Sequence, residues 1–392
     1  MTMLRHERAF PGAGDLVEGA PGLRRTERGL RPARLPDWAR RQVLDPFFDL
    51  EAELSAGARL ALRTEATHLE LALHAVRVPG PGGGPAPAAV DLEVDDRLLR
   101  REPLTGGDLM LPATAEGEAS LVAGRPQTVR FPDLPAGEKE IRLWLPHTAV
   151  CDLLSLRADR PVRPSRQAAS RPRWVHHGSS ISHCAEAAGP TGMWPAVAAR
   201  ARGLGLTNLG FAANAMLDPC VARVIRDLPA DLISLELGVN IVGAAAMRLR
   251  TFRPAVHGFL DTIREKHPEV PMVVVSPVPC PALEDRPGPL AVDPATGRVR
   301  AVGDPRDAPL GALTLSAARD HLARIVQERQ HSDPALLHLD GRMLLKPEET
   351  ADLHDGLHPN AAAYLRMGSR FAGFLTAAHG EDSHLLHRAD AR

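Results

Sequence analysis

The sequence predicts two domains: an antiparallel β-sandwich of jelly-roll type, followed by a three-layer α/β/α domain with a parallel five-stranded sheet. Three observations predict this fold class. Residues 40–160 contain runs that alternate apolar and polar with a period of two, without helical patterns between them. From residue 173 onward, short apolar runs alternate with helical patterns. A chain of 392 residues is also long for one domain.

The alternating runs define the strands of the expected sandwich. Leu69, Leu71 and Leu73 alternate with polar or small residues, and the pattern recurs at 90–95 and 141–145. Such alternation places one face of each strand on a core and leaves the other face in water. Turn-forming Gly and Pro residues separate the runs.

Continuous apolar runs mark the second domain. Those at Leu232–Leu237 and Met272–Val275 suit strands that are buried on both faces of a parallel sheet. The clearest helix starts at Asp218 and Pro219, an acidic N-cap followed by proline at the first helical position. Asn360 is expected to cap the last helix. Further helices are expected near 192–203, 247–267, 313–331 and 361–378.

Composition sets the expected boundaries. The start of the chain is rich in Gly, Arg and Pro without a period, which is typical of an extended or disordered arm. Prolines and arginines just before residue 173 indicate a linker. The expected segments are a flexible arm at 1–35, the sandwich at 36–160, a linker at 161–172, the α/β domain at 173–380 and a frayed tail at 381–392.

The bulk properties exclude several classes of function. The net charge is -1, so we expect neither a nucleic-acid nor an anionic-membrane partner. The four cysteines are scattered, which argues against a zinc or redox motif. The N-terminal residues form no apolar segment, and no apolar run reaches 18 residues. We therefore expect a soluble cytoplasmic protein without membrane insertion.

A segment rich in Pro and Gly follows the fourth predicted strand, at residues 281–312. Long loops in compact domains are often functional, and this one should lie at the carboxyl edge of the sheet, where ligands bind. It is interpreted as a lid or substrate-facing flap, with a passive insertion as the equal alternative.

Ser180 is the candidate nucleophile. It follows a buried strand and the turn-forming Gly178, so its hydroxyl would be exposed at the strand end. A serine hydroxyl needs a base within hydrogen-bond reach before it can attack a carbonyl carbon. Ser179 and Ser182 remain competitors, because spacing alone does not exclude them.

His358 is the candidate base, and Asp355 is the carboxylate expected to orient it. The two residues stand three apart in one loop before a helix, so both can reach a single cleft. His354 and Asp352 are nearby alternatives for these roles.

Gly210 and Asn240 are the candidate donors of an oxyanion hole, together with the Ser180 N–H. Gly210 ends a strand and offers a backbone N–H, whereas Asn240 follows the next strand and offers a side-chain amide. Such donors stabilise the negative oxygen of a tetrahedral intermediate. All these candidates follow predicted strand ends, which meet at one edge of a parallel sheet.

These four blocks resemble those of the SGNH, or GDSL, hydrolase superfamily over residues 173–378. The matching stretches are Gly178-Ser179-Ser180-Ile181, Gly210, Gly238-Val239-Asn240 and Asp355-Gly356-Leu357-His358. The resemblance implies a flavodoxin-like fold, a Ser180–His358–Asp355 triad, and no metal or organic cofactor. A β-sandwich ahead of such a domain is similar to the arrangement in some carbohydrate esterases and in a GDSL-type acyltransferase of polyketide tailoring.

Two positions depart from the family pattern. Ser179 stands where the family usually has Asp, and Ile241 stands where an Asp often follows the oxyanion Asn. Both positions support the geometry of the site in the family, so the departures bear on rate and substrate range.

The sequence leaves three functions to weigh. The first is a serine esterase that cleaves an O-acyl ester of a sugar or small-molecule natural product. The second is an O-acyltransferase that shares the acyl-enzyme but uses an alcohol acceptor instead of water. The third is a non-catalytic binding module. A zinc site built from His176, His177, His183, His354 and His358 is a weaker alternative, because none of them forms a ligand-spaced pair. Trp144 is the one aromatic candidate for glycan binding by the sandwich.

Overall fold

The computed structural model describes residues 4–10, 12–80, 84–111 and 120–379. The predicted tail at 381–392 lies outside these residues. The chain divides into two compact units. The first comprises Met1–Asp37, Asp49–Arg171 and Gly189–Thr191, and the second comprises Trp38–Phe48, Pro172–Ala188 and Gly192–Arg392.

The first unit is a sandwich of two sheets. Its strands are β1 (His6–Ala9), β2 (Val17–Glu18), β3 (Gly22–Arg25), β4 (Leu30–Ala33), β5 (Arg59–Thr64), β6 (Leu69–Arg77), β7 (Ala89–Val94), β8 (Arg97–Pro103), β9 (Asp108–Leu111), β10 (Ser120–Val122), β11 (Gln127–Phe131), β12 (Lys139–Trp144), β13 (Ala149–Ala158) and β14 (Val162–Pro164). The helices up to residue 171 are α1 (Asp37–Val43), α2 (Pro46–Glu53) and α3 (Arg166–Ser170).

The two sheets have simple orders. One runs β10-β9-β6-β13-β4-β3, with β1 added to β13 and β11 added to β6. The other runs β14-β5-β12-β7-β8, with β2 added to β5. All pairs are antiparallel except β6 with β9. The predicted antiparallel sandwich is confirmed.

The core of the sandwich is built from the predicted inward residues. Leu69, Leu71 and Leu73 are fully buried in one hydrophobic cluster, as are the matching residues of β7 and β12. The outward face of β7 differs from the prediction, because Asp91 and Glu93 are buried as well. Each carboxylate has a hydrogen-bond partner that makes its burial tolerable: Asp91 accepts from Arg101, and Glu93 accepts from the Trp144 indole N–H.

The predicted flexible arm is wrong for the described residues among 1–35. This segment forms β1 to β4, and β1 pairs with β13 over the whole of His6–Ala9. Phe10, Leu16 and Leu30 enter the hydrophobic cluster of the sandwich. Composition does not predict these strands, because the segment is ordered by backbone pairing and by the burial of only a few apolar side chains.

The predicted linker at 161–172 is likewise folded in part. Val162–Pro164 forms β14 and pairs with β5, and α3 follows it. Pro164 is accommodated because β14 is an edge strand, where a missing N–H leaves no sheet partner unsatisfied.

The second unit contains a parallel sheet with helices between its strands. Its strands are β15 (Arg173–Gly178), β16 (Gly205–Gly210), β17 (Leu232–Glu236), β18 (Met272–Val275), β19 (Leu290–Val292), β20 (Val299–Ala301) and β21 (Leu336–Leu339). Its helices are α4 (Ser180–His183), α5 (Trp194–Arg202), α6 (Pro219–Asp227), α7 (Val239–Gly243), α8 (Leu249–Arg264), α9 (Leu315–Arg329) and α10 (Ala361–His379).

The five parallel strands lie in the order β16-β15-β17-β18-β21, which confirms the predicted flavodoxin-like sheet. The four helices predicted from 192 onward match α5, α8, α9 and α10 within three residues at each end. Asn360 caps α10 by accepting from the Ala363 N–H at 2.9 Å. No helix among the described residues combines the length and apolar character needed to cross a membrane.

Aromatic packing ties α10 to the central strand. Phe371 stacks on Trp174 with ring centroids 5.1 Å apart and packs edge-on against Trp194 at 5.2 Å. All three side chains are fully buried. This cluster fixes the helix that directly follows the loop bearing His358.

Replacing Phe371 by Ala tests this packing. We expect Phe371→Ala to lower the free energy of unfolding of the second unit by about 3–5 kcal/mol, because it removes a ring from a filled core. Urea denaturation followed by tryptophan fluorescence measures the loss. Leu365→Ala on the same helix is the control, because Leu365 is 51% exposed and its truncation should change stability by less than about 0.5 kcal/mol. Equal losses in the two variants would contradict this account.

Candidate active site

The register of the parallel sheet brings the candidate residues to one edge. β15 is the second strand of the sheet, with Gly178 opposite Gly210 of β16 and His177 opposite Leu235 of β17. Ser180 begins α4 immediately beyond β15, and Asn240 lies in α7 beyond β17. Strand order and register therefore place the ends of three strands side by side.

Ser180, His358 and Asp355 form a continuous hydrogen-bonded chain. The Ser180 Oγ lies 2.9 Å from His358 Nε2, and His358 Nδ1 lies 2.6 Å from Asp355 Oδ2. The carboxylate can only accept, so Nδ1 carries a proton and Nε2 is left to accept from the serine hydroxyl. Ser180 and His358 are 178 residues apart in the chain. This geometry is what general-base activation of a serine requires.

The loop that carries Asp355 and His358 is held by its own backbone. Asp355 Oδ1 accepts from the N–H groups of Leu357 and His358, both at 2.8 Å. Gly356 has φ of +91°, a left-handed conformation that residues with a side chain rarely adopt. The carboxylate therefore fixes the turn with one oxygen and the imidazole with the other.

The serine is held at the strand end by close backbone packing. A Cβ at Gly210 would lie 2.6 Å from the His183 N–H nitrogen, so only glycine allows α4 to approach β16. Asn208 adds a bond across the same contact, from its amide group to the Ser182 carbonyl at 3.0 Å. Ser179 caps α4 by accepting from the Ile181 N–H.

The two candidate oxyanion donors differ in their surroundings. The Asn240 Oδ1 accepts from the Ala215 N–H at 3.0 Å, which fixes the amide so that its NH₂ group is the free donor. The Gly210 N–H instead donates to Asn208 Oδ1 at 3.0 Å. It reaches a substrate oxygen only if that bond is shared or broken. Asn208 was missed by sequence reasoning, although it stands two residues before Gly210.

The alternative residues have other partners. Ser179 and Ser182 are fully buried, and both hydroxyls donate to Glu236 Oε2. His354 is exposed and its ring bonds the His358 carbonyl, whereas Asp352 accepts from Asn360 and Arg366. The structure thus brings His358 to Ser180 and leaves the alternatives outside the hydrogen-bonded chain.

A buried carboxylate beneath the serine is the main feature that sequence reasoning missed. Glu236 ends the central strand β17, is 1% exposed, and accepts from the Ser179 N–H at 2.8 Å and the Ser179 hydroxyl at 2.6 Å. Burial raises the pKa of Glu236 above its usual value, although the bonds from Ser179 and Ser182 oppose the rise. An acid inside the apolar run at Leu232–Leu237 was the available signal.

The paired histidines of β15 have structural partners on different sides of the strand. His176 bonds Ser234 at 2.7 Å and Ser182 at 2.8 Å, and His177 bonds the Leu209 carbonyl at 2.7 Å. Burial lowers the pKa of His176 to about 3 and that of His177 to about 4, so both are neutral at pH 7. Among the described residues, no group of three or more His, Cys, Asp or Glu side chains is arranged to hold a metal ion.

A second carboxylate acts on His358 through its charge. Glu186 follows α4, and its Oε2 accepts from the buried Tyr364 hydroxyl at 3.1 Å. Burial by itself lowers the pKa of His358, but the Asp355 hydrogen bond and the Glu186 charge outweigh it, and the net pKa is raised. Burial would raise the pKa of Asp355, yet the bond to His358 brings it well below its usual range.

The titration of His358 tests this balance of charges. We expect its NMR midpoint to lie above about 6.5, the ordinary value for histidine. Glu186→Gln should lower the midpoint, because the amide removes a negative charge that favours the imidazolium. Glu348→Gln is the control, because Glu348 is exposed and pairs with Lys346. A His358 midpoint at or below 6.5 in the unmodified protein would show that burial dominates.

Comparison with known proteins relates the chain to a family and to several solved structures. Residues 177–366 match the model of the GDSL-like lipase/acylhydrolase family. No curated protein sequence matches the chain. Among solved structures, the chain is similar to the salicylyl-acyltransferase SsfX3 from a tetracycline biosynthetic pathway. The TM-score is 0.79 and the identity 28%, and the match covers 96% of this chain and 98% of that chain.

Two further structures share the fold at lower identity. A GDSL-like lipase from Bacteroides ovatus has a TM-score of 0.64 and 19% identity, with 95% of this chain and 98% of that chain covered. A family two carbohydrate esterase from Clostridium thermocellum has a TM-score of 0.53 and 13% identity, with coverage of 82% and 93%. Residues 177–366 of the chain therefore form a GDSL-like lipase/acylhydrolase domain, and the chain belongs to the enzymes, esterases and acyltransferases, that act on ester bonds.

Proposed function

We propose that the protein transfers an acyl group from an ester through a covalent intermediate on Ser180. The observation that carries the proposal is the Ser180–His358–Asp355 chain, with contacts of 2.9 and 2.6 Å. Both distances lie within the reach needed for proton transfer from a serine hydroxyl to an imidazole. The substrate we propose is an O-acyl ester of a sugar or a small-molecule natural product.

In the first half-reaction, His358 Nε2 takes the hydroxyl proton while Ser180 Oγ attacks the ester carbonyl carbon. The carbonyl oxygen becomes negative and is stabilised by the Ser180 N–H and the Asn240 amide NH₂. The Gly210 N–H joins them by sharing its bond to Asn208. The intermediate then collapses, the alkoxide leaves with the proton from His358, and the acyl group remains on Ser180.

In the second half-reaction, an acceptor hydroxyl attacks the acyl carbonyl carbon while His358 Nε2 takes its proton. The intermediate collapses as the bond to Ser180 Oγ breaks, and His358 returns the proton to Ser180, which leaves as the free hydroxyl. Water as the acceptor makes the enzyme an esterase. An alcohol as the acceptor makes it an O-acyltransferase. Asp355 keeps the imidazole in the required tautomer and stabilises the imidazolium that forms in each half-reaction.

The acyltransferase has specific support as the second candidate. The similarity to the salicylyl-acyltransferase SsfX3 extends over 96% of the chain at 28% identity. It supports aromatic acyl donors and a natural-product alcohol as the first substrates to test. The likeness to carbohydrate esterases is below 25% identity and concerns the fold alone. Trp144, the one candidate for glycan stacking, is 3% exposed and packs under Arg59, so it offers no face to a sugar.

A fluorophosphonate probe tests the nucleophile. We expect it to modify the wild-type protein at Ser180 and to leave Ser180→Ala unmodified, because among the described hydroxyls only that of Ser180 is bonded to the His358 ring. His358→Ala should lower the labelling rate by about 10⁴-fold or more. His354→Ala, which removes the exposed neighbour, should label at close to the wild-type rate. Peptide mapping that finds the adduct on Ser179 or Ser182 would contradict the assignment.

The fate of the acyl group separates the two candidates. With p-nitrophenyl salicylate or acetate as donor, an esterase releases the free acid at the same rate in the presence of added polyol or aromatic alcohol. An acyltransferase diverts the acyl group to millimolar alcohol and forms a new ester. Mass spectrometry of the products measures the ratio of ester to acid. Free acid as the only product across sugar and aromatic acceptors would exclude the transferase.

A further inference from the structure

The insertion at 281–312 is folded and contacts two separate parts of the candidate site. Its central part forms the β19–β20 hairpin, and a short 3₁₀ segment at Pro305–Leu310 follows. One contact of the hairpin is with the turn that carries Asp355 and His358. The other is with α7, the helix that carries Asn240.

The first contact is a backbone hydrogen bond. The Val299 N–H donates to the Asp355 carbonyl at 2.8 Å. Beside it, a Cβ at Gly356 would lie 3.5 Å from Val299 Cγ2 and 3.4 Å from the Arg298 guanidinium, so the hairpin packs directly on this turn. Because the Val299 N–H is used here, it takes no part in the ladder between β19 and β20. The strand β20 is thus joined on one side to β19 and on the other to the turn.

The second contact is a close packing of the hairpin base on α7. A Cβ at Gly288 would lie only 2.0 Å from the Val242 carbonyl oxygen, so the backbone of the insertion touches the backbone of the helix. Leu290, the first residue of β19, lies 3.3 Å from the position of a Cβ at Gly243. Asn240 stands one helical turn or less from both of these helix residues.

The start of the insertion is fixed independently. Arg319 on α9 is 4% exposed and makes a two-pronged ion pair with Glu284 at 2.7 and 2.8 Å. Glu284 also accepts from the Cys280 N–H, and the Cys280 thiol donates to the Gly356 carbonyl at 3.3 Å. The segment that leads into the hairpin is therefore held in place by its own ion pair and hydrogen bonds.

We propose that the β19–β20 hairpin is a brace that sets the position of His358 relative to the Asn240 amide, with Val299 as its positioning residue. The inference rests on the proposed function and deepens it. The imidazole must reach Ser180 while the amide faces the developing oxyanion, and these two groups come from loops after different strands. A hairpin that contacts both segments can fix the distance between the imidazole and the amide without touching the reacting atoms. Misplacement of a reacting group by about 1 Å lowers a rate about 10²-fold.

The test removes one hydrogen bond and leaves the rest of the hairpin. Val299→Pro deletes the N–H that donates to Asp355, and an edge strand tolerates proline at a position outside the ladder. Val299→Ala keeps the N–H and shortens only the side chain. Arg300→Ala changes the next, exposed residue. In ester turnover, we expect Val299→Pro to lower kcat about 10²-fold with KM nearly unchanged. Val299→Ala, which keeps the N–H and loses only the side-chain contact, should lower kcat far less, and Arg300→Ala should stay within about twofold of wild type.

A spectroscopic readout makes the inference independent of turnover. The His358 Nδ1 proton bonded to Asp355 gives a far-downfield proton resonance, which should shift or broaden in Val299→Pro and remain in both controls. A resonance and kcat in Val299→Pro equal to those of Val299→Ala would overturn the brace. If every variant and the wild type fail to react with esters and with the fluorophosphonate probe, the proposed function falls, and the resonance alone still decides whether Val299 positions His358.

Discussion

The His358 imidazole is the link on which the rest of the second unit depends. It must hold Asp355 with one nitrogen and meet Ser180 with the other, at 2.6 and 2.9 Å. The partner serine stands 178 residues earlier in the chain. The strand order β16-β15-β17-β18-β21 closes that distance, and Gly210 allows the serine helix to approach its neighbouring strand. Packing of Phe371 on Trp174 then fixes the helix that leaves the histidine loop. The strand order, the Gly210 contact and the Phe371–Trp174 packing together hold the three residues in one hydrogen-bonded chain.

The sequence predicts much of this because strand ends and turn residues have strong local signals. Ser180 after Gly178, and Asp355 three residues before His358, could be proposed from their positions after predicted strands and from the family resemblance, because parallel strands must end at the same edge. Spacing alone left other serines and a second Asp–His pair as alternatives. The residues that support the Ser180–His358–Asp355 chain through hydrogen bonds or charge could not be predicted from the sequence. Glu236, Asn208 and Glu186 act through contacts with residues distant in the chain, on a neighbouring strand end or a packed helix. A single sequence does not show which distant residues meet. Composition also led to wrong predictions for residues 1–35 and 161–172, because backbone pairing of a short strand with its neighbour needs few apolar side chains.

The polar network beneath the serine shows how this chain departs from the family pattern. Ser179 stands where the family usually has Asp, and Glu236 on the adjacent strand supplies a carboxylate to the same place. The carboxylate accepts from both the N–H and the hydroxyl of Ser179, the residue before Ser180. A carboxyl group is thus present under the serine turn, although it comes from a different position in the chain. The neutral His176 continues the network by bonding the Ser182 hydroxyl, which in turn donates to Glu236.

The buried Glu236 also sets the direction in which the stability of the fold changes as pH rises. Its pKa is raised in the folded protein, so the folded chain binds this proton more tightly than the unfolded chain does. Its contribution to stability is therefore greatest below the pKa that Glu236 has in the unfolded chain. That contribution declines as pH rises towards the higher pKa of the folded chain. Engineering for heat resistance above this pH range would find a weak point here, beside Ser180. An uncharged isostere at this position would relieve the burial of a charge, and the same exchange would loosen the turn that presents the serine.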